Sequence, residues 1–136
     1  MSGPVASPFE DDHYCLCCGT ENPRGFKMKF RYEGDRLLSE AVIPKEYQGF
    51  ADVVHGGILG TLLDEMMVNF HWLKGEKAVT AEFTVRLKTP CPTGRRVLLS
   101  AWLMESKRNL LWTAADAKLE DGTVVAEATA KCMKVP

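Results

Sequence analysis

No apolar run in this 136-residue chain approaches the roughly 20 residues that a transmembrane helix requires, so no membrane span is expected. Neither sign of charge dominates: 17 basic against 18 acidic residues leave a net −1. That balance supplies no field for nucleic acid or an anionic membrane surface, and neither is an expected partner. Internal repeats are absent. A disulfide framework is not expected from five cysteines, an odd number with three crowded at Cys15, Cys17 and Cys18, and no signal peptide is read before them. Reduced thiols in a cytoplasmic protein are the expectation. A second Cys-x2-Cys pair is also missing. Cys15 and Cys18 form one pair and His13 could add a ligand, but Cys91 and Cys132 stand alone, so the four ligands of a structural zinc site are not brought together by spacing. No metal is expected.

What is present fits one domain. A chain of this length buries a real core, while a shallow sheet of its size commonly completes itself by oligomerising. Residues 1–14 hold two prolines and the acidic Glu10-Asp11-Asp12 run without periodicity, and read as a flexible N-terminal tail ahead of a single domain at 15–136. After the turn residues Asn22-Pro23-Arg24-Gly25, residues 26–32 and 37–43 read as two strands joined across Gly34-Asp35. A helix is expected over 55–73, ended by Gly75. From Ala78 the period becomes two: Val79, Ala81, Phe83, Val85 and Leu87 share one face, and Thr80, Glu82, Thr84, Arg86 and Lys88 the other. Three more strands are expected at 96–105, 110–119 and 124–133, separated by Pro92-Thr93-Gly94, Ser106-Lys107-Arg108-Asn109 and Asp121-Gly122. The fold class is α+β, with an antiparallel sheet able to curl around one long helix.

The informative stretch is Val54-His55-Gly56-Gly57-Ile58-Leu59-Gly60-Thr61-Leu62-Leu63-Asp64-Glu65. At 100° per residue, Leu59, Leu62, Leu63, Met66 and Phe70 make the stripe that buries against a sheet. Gly57, Gly60, Asp64, Val68 and His71 fall on another side, so a seam of bare backbone leads to a carboxylate. Glycine costs about 1 kcal/mol inside a helix relative to alanine, yet in the first turn it leaves the orphan N–H groups open to a ligand. Those amides, with the helix dipole behind them, can polarise a carbonyl oxygen.

The order of elements and the spacing from His55-Gly56-Gly57 to Asp64 resemble the hotdog-fold acyl-CoA thioesterases, in the phenylacetyl-CoA and 4-hydroxybenzoyl-CoA thioesterase-like branch. Cys15-Leu16-Cys17-Cys18-Gly19, Asn22-Pro23-Arg24-Gly25-Phe26, Thr80-Ala81-Glu82-Phe83-Thr84-Val85-Arg86 and Pro90-x-Pro92-x-Gly94 match the same pattern in order. The resemblance implies a sheet of five to six strands wrapped around a central helix. It implies Asp64, nine residues after His55, as nucleophile or general base, and the Gly57 amide as oxyanion donor, worth about 3 kcal/mol in the transition state. Thr80 matches the hydroxyl that orients the attacking water. Gln48 stands one place away from the family's Asn or Gln position, which here is Gly49, and is the candidate to reach the carbonyl or the water. His55 and Gly56 are read as substrate-binding. Glu65 is read as structural or interfacial, and His71 as a surface or interface residue matched to the helix dipole.

The implied reaction is hydrolysis of an acyl-CoA to a carboxylic acid and CoA, with no metal or other cofactor. It proceeds either through attack by Asp64 to give a mixed anhydride or through proton abstraction from water. The resemblance also implies a homodimer, or a dimer of dimers, with sites across the interface and Asp64 and Thr80 drawn from different subunits. Phe50, Trp72, Trp102 and Trp112 either line an acyl pocket or fill the core. Two other readings compete: a non-catalytic acyl-CoA-binding sensor, and a hotdog dehydratase or hydratase, which wants a histidine paired with an acid at a different spacing.

Overall fold

In the computed structural model, which describes residues 9–136, a short hairpin is followed by one long helix and four strands. The elements are β1 (Arg31–Glu33), β2 (Arg36–Val42), a 3-10 turn at Lys45–Tyr47, α1 (Gly56–Trp72), β3 (Ala78–Leu87), β4 (Arg96–Lys107), β5 (Leu110–Leu119) and β6 (Val124–Lys134). All strand pairs are antiparallel in one six-stranded sheet of order β1-β2-β4-β5-β6-β3. Helix α1 therefore carries the chain from one flank of the sheet to the opposite edge, crossing the concave face as it goes.

The helix forms where the 3.6-residue period predicts it. Leu59, Leu62, Leu63, Met66, Met67 and Phe70 are buried against Leu37, Val97, Leu99, Leu111, Val125 and Ala126 from the sheet. Each such side chain stabilises the fold by about 1.5–3 kcal/mol through the apolar surface it removes from water. The helix ends at Trp72, and Gly75, with a φ of +83°, turns the chain so that the Glu76 N–H reaches back to the His71 carbonyl at 3.0 Å.

Two expectations fail locally. Residues 26–30 are not strand, and β1 begins only at Arg31. The N–H groups of Phe26 and Met28 donate to the carbonyls of Leu16 and Cys17, and Lys27 has a φ of +54°. This segment is thus tied to the cysteine-bearing loop rather than to the sheet. The second failure is in β3. Its register against β6 slips between Thr80 and Glu82, so Ala81 is a β-bulge that interrupts the alternation. As a result Thr80 lies on the helix-facing side together with Phe83, Val85 and Leu87, not opposite them. As the edge strand, β3 is also less buried than its apolar period suggests, with Phe83 44% and Leu87 58% exposed.

Residues 1–8 of the expected tail lie outside the described residues. Over 9–14 the Asp11 and Asp12 carboxylates accept the N–H groups of His13 and Tyr14, and the Glu21 N–H donates to the His13 carbonyl at 2.8 Å.

Candidate active site

Asp64 lies two turns into α1, and the bulged start of β3 delivers Thr80 to it. The Thr80 hydroxyl donates to Asp64 Oδ1 at 2.6 Å within one chain. The expectation that these two residues meet from different subunits is therefore corrected: the bulge brings them together locally. This bond holds one carboxylate oxygen, Oδ1, against the start of β3. Both residues line a cavity of about 530 Å³ with Phe9, Cys15, Cys18, Val68 and Trp72.

Deeper in, polar groups continue from this pair. Cys132, the cross-strand partner of Thr80, is buried, and that burial, reinforced by the nearby Asp64 charge, holds its thiol above the ordinary value. Thr113 meets His71 Nε2 at 2.8 Å. His71 is thus not a surface residue, as its place near the helix end suggested. It is 2% exposed, and burial lowers its pKa from the ordinary 6.5.

The other expected site residues gather elsewhere. His55 caps α1, its Nδ1 accepting from the Gly57 N–H at 2.9 Å. His55, Gly57 and Gln48 line a second concavity with Glu46, Tyr47 and Ile58. The Gln48 side-chain oxygen accepts from the Asp52 N–H and from Lys45 Nζ, both at 2.9 Å, so this residue also braces the loop ahead of the helix. Gly57 and Asp64 are seven residues apart, about 10 Å along the helix axis. Even with the aspartate side chain leaning toward the N-terminus, one thioester carbonyl cannot touch both within this chain.

The glycine seam is not open as the sequence suggested. A Cβ on Gly56 would stand 2.5 Å from Leu87 Cδ1, and one on Gly60 3.5 Å from Val85 Cγ2, so β3 side chains cover both. Gly57 alone of the three is exposed. The tryptophans and Phe50 do not share a pocket: Trp72 lines the Asp64 cavity, Trp102 sits beneath the Arg36 guanidinium at 4.2 Å, and Phe50 is 85% exposed.

Glu65 was the residue that sequence reasoning undervalued. It faces the N-terminal loop, accepting from the Cys15 thiol at 3.3 Å and from Asn69 Nδ2 at 2.6 Å. A separation of 50 residues hid that meeting; only the Cys-x2-Cys spacing hinted at a cluster.

The model of the thioesterase superfamily matches residues 51–126, more than half of the chain. The chain belongs to the thioesterase superfamily. No curated protein sequence matches it. Among solved structures, a thioesterase superfamily protein is 24% identical with a TM-score of 0.82; the match covers 88% of this chain and 62% of that one, so the chain spans under two thirds of that protein's length. PaaI of E. coli, from the phenylacetic acid degradation operon, is 14% identical, with 82% and 81% coverage and a TM-score of 0.75. A hypothetical thioesterase of Streptococcus pneumoniae TIGR4, solved with coenzyme A, is 16% identical, with 79% and 85% coverage and a TM-score of 0.74. These likenesses establish the fold: the thioesterase-superfamily chain is a six-stranded hotdog, its sheet wrapped around α1. Among the described residues, no helix is long and apolar enough to cross a membrane.

Proposed function

We propose that this thioesterase-superfamily chain hydrolyses an acyl-CoA thioester to a carboxylic acid and free CoA, with Asp64 as the nucleophile or general base. The observation that carries the reading is the 2.6 Å bond from Thr80 to Asp64 on the wall of a cavity large enough for an acyl group. Thr80 holds Oδ1, and Oδ2 then faces the reacting centre. In one route it attacks the thioester carbon, forming an acyl–aspartate anhydride and expelling CoA thiolate, and water then cleaves the anhydride. In the other it takes a proton from the attacking water. The S. pneumoniae neighbour has also been solved as separate Asp→Ala and Thr→Ala variants, at positions with the same separation of 16 residues as Asp64 and Thr80.

The oxyanion donor in this reading is the Gly57 N–H, which would exchange its 2.9 Å bond to His55 Nδ1 for one to the thioester carbonyl, assisted by Gln48, with His55 and Gly56 shaping the substrate's approach. The distance along α1 supports a reading in which these come from a second copy, the working unit being a homodimer, alone or paired into a tetramer, with each site built from both chains. The exposed Phe83 and Leu87 on edge strand β3 support such pairing. Residues 15–136 act as the single catalytic domain, with the N-terminal residues as its extension, and the free thiols fit the reducing cytoplasm.

Release of CoA thiol from short, medium, long and aromatic acyl-CoAs tests the proposal, with an enzyme-only blank for the five cysteines. Turnover lost in Asp64→Asn supports it. Binding of acyl-CoA without turnover on any of them would favour a non-catalytic acyl-CoA sensor.

A further inference from the structure

The sequence Cys15-Leu16-Cys17-Cys18-Gly19 forms a tight turn that directs its two outer thiols to one place. The Gly19 N–H donates to the Cys15 carbonyl at 2.9 Å. A Cβ on Gly19 would lie 2.3 Å from the Cys15 nitrogen, so the turn closes only around glycine. The Cys17 N–H points at Cys15 Sγ from 3.4 Å, while the Cys17 side chain turns away into the core. From α1, Glu65 presents its carboxylate to the same point, with Oε1 3.3 Å and Oε2 3.6 Å from Cys15 Sγ. The ligand atoms of Cys15, Cys18 and Glu65 all lie within 4.8 Å of one another. His13, the other candidate from sequence, is absent from this cluster; its ring is exposed and 3.6 Å from Asp11.

We propose that Cys15, Cys18 and Glu65 form a binding site for one zinc-class divalent cation, whose fourth position opens to the Asp64 cavity. Two thiolates and a carboxylate are the donors that zinc takes in tetrahedral sites. Zn–S bonds of about 2.3 Å and Zn–O bonds of about 2.0 Å give tetrahedral edges just under about 4 Å. The Cys15–Glu65 edge, at 3.3 Å, already meets this, and closing the other edges needs at most about 1 Å, within the reach of cysteine and glutamate rotamers. Both outer elements are already supported. Asn69 Nδ2 donates to Glu65 Oε1 at 2.6 Å, and the Cys17 amide donates to the Cys15 sulfur, which are the contacts that orient ligands from outside the coordination sphere.

Binding is an exchange of protons for metal. The two thiols lose their protons, the cation takes both sulfurs and one carboxylate oxygen, and no electron is transferred. Because all three ligands line the Asp64 cavity, the cation also fastens the N-terminal loop to α1 at that wall.

The full chain, stripped with chelator and kept reduced under anaerobic conditions, is titrated with cobalt(II) and then zinc. One equivalent of cobalt should give thiolate charge-transfer and tetrahedral d–d absorption, release two protons, and be displaced by zinc. The Cys15→Ser/Cys18→Ser chain should lose the charge-transfer bands. Because those changes can disturb the loop, Glu65→Gln is read alongside, and weaker binding with an unchanged circular dichroism spectrum supports the site. Asn69→Ala should bind about 10–100-fold more weakly, and Cys91→Ala should bind as the wild type does. Absent charge transfer, or bands that persist in the Cys15→Ser/Cys18→Ser chain, would overturn the proposal. No thioester is needed for these measurements, so their outcome is independent of whether the chain hydrolyses acyl-CoA.

Discussion

Thr80 meets Asp64 at 2.6 Å because one extra residue, Ala81, is inserted into the pairing of β3 with β6. Without the bulge, the alternation that turns Phe83, Val85 and Leu87 toward α1 would turn Thr80 away. The hydroxyl, rather than the side chain's bulk, is what Asp64 uses. Thr80→Val should therefore lower kcat for thioester hydrolysis by about 10–100-fold while leaving the melting temperature nearly unchanged, and Thr80→Ser should recover most of the rate. A Thr80→Val enzyme with wild-type kcat would remove Thr80 from the mechanism.

Asp64→Asn keeps the shape of the carboxylate and removes its basicity and nucleophilicity. The loss in kcat should reach about 10²–10⁴-fold, the range that a positioned base or nucleophile supplies. Far-UV circular dichroism should be unchanged, since Asp64 lies off the buried stripe of α1. Unfolding of this variant would instead give Asp64 a structural role.

His71 makes stability depend on pH. Burial favours its neutral form, so its folded pKa is below the ordinary 6.5, and nearby Lys74 and Lys134 lower it further against the opposing pull of Glu76. The unfolded chain then binds more protons than the folded one in the interval between the two values. Stability is full above about pH 6.5 and falls as the pH drops below it, until His71 is protonated within the fold. Denaturant midpoints measured from about pH 7 to about pH 5 should show this decline, and His71→Gln should flatten it. An equal slope in both proteins would place the titration elsewhere.

Gly60 gives a test of the seam. In the middle of a helix it costs about 1 kcal/mol relative to alanine, and the added methyl would meet Val85 at an ordinary 3.5 Å. Gly60→Ala should raise stability by about 0.5–1 kcal/mol and leave kcat unchanged, because β3 already covers that position. A large loss of activity would reopen the seam as a substrate surface.

The helix, the opening hairpin's turn and the three later strands were legible because each follows from a local period or a turn residue. Gly34-Asp35 links the paired Glu33 and Arg36, as its composition requires, and Leu110–Leu119 is bounded as its pattern predicts. What escaped was non-local or out of phase. Residues 26–30 look like strand, but their amides are taken by Leu16 and Cys17. Thr80 was assigned the right partner on the wrong face, since a bulge at Ala81 leaves no mark in a period-two pattern. His71 is polar and near a helix end, yet the curled sheet supplies Thr113 to bury it. Glu65 gave no signal, because its meeting with Cys15 and Cys18 is set by how the N-terminal loop folds over α1.

The separation of Gly57 from Asp64 along one helix makes a prediction that a single-chain site cannot share. If each site takes Asp64 and Thr80 from one copy and the Gly57 amide from the other, Asp64→Asn and Gly57→Leu chains should each be inactive alone. Leucine keeps helix propensity while its side chain covers the amide. Unfolded together and refolded at equal ratio, half of the dimers are mixed, and each mixed dimer holds one site with both halves intact. Activity should then return to about a quarter of wild type, the yield of random pairing across a two-fold interface. If all the catalytic groups of a site came from one chain, every site in the mixture would carry a defect and no activity would return. Phe83→Glu in edge strand β3, added to both chains, should abolish the recovery by separating the copies, which sedimentation would show directly.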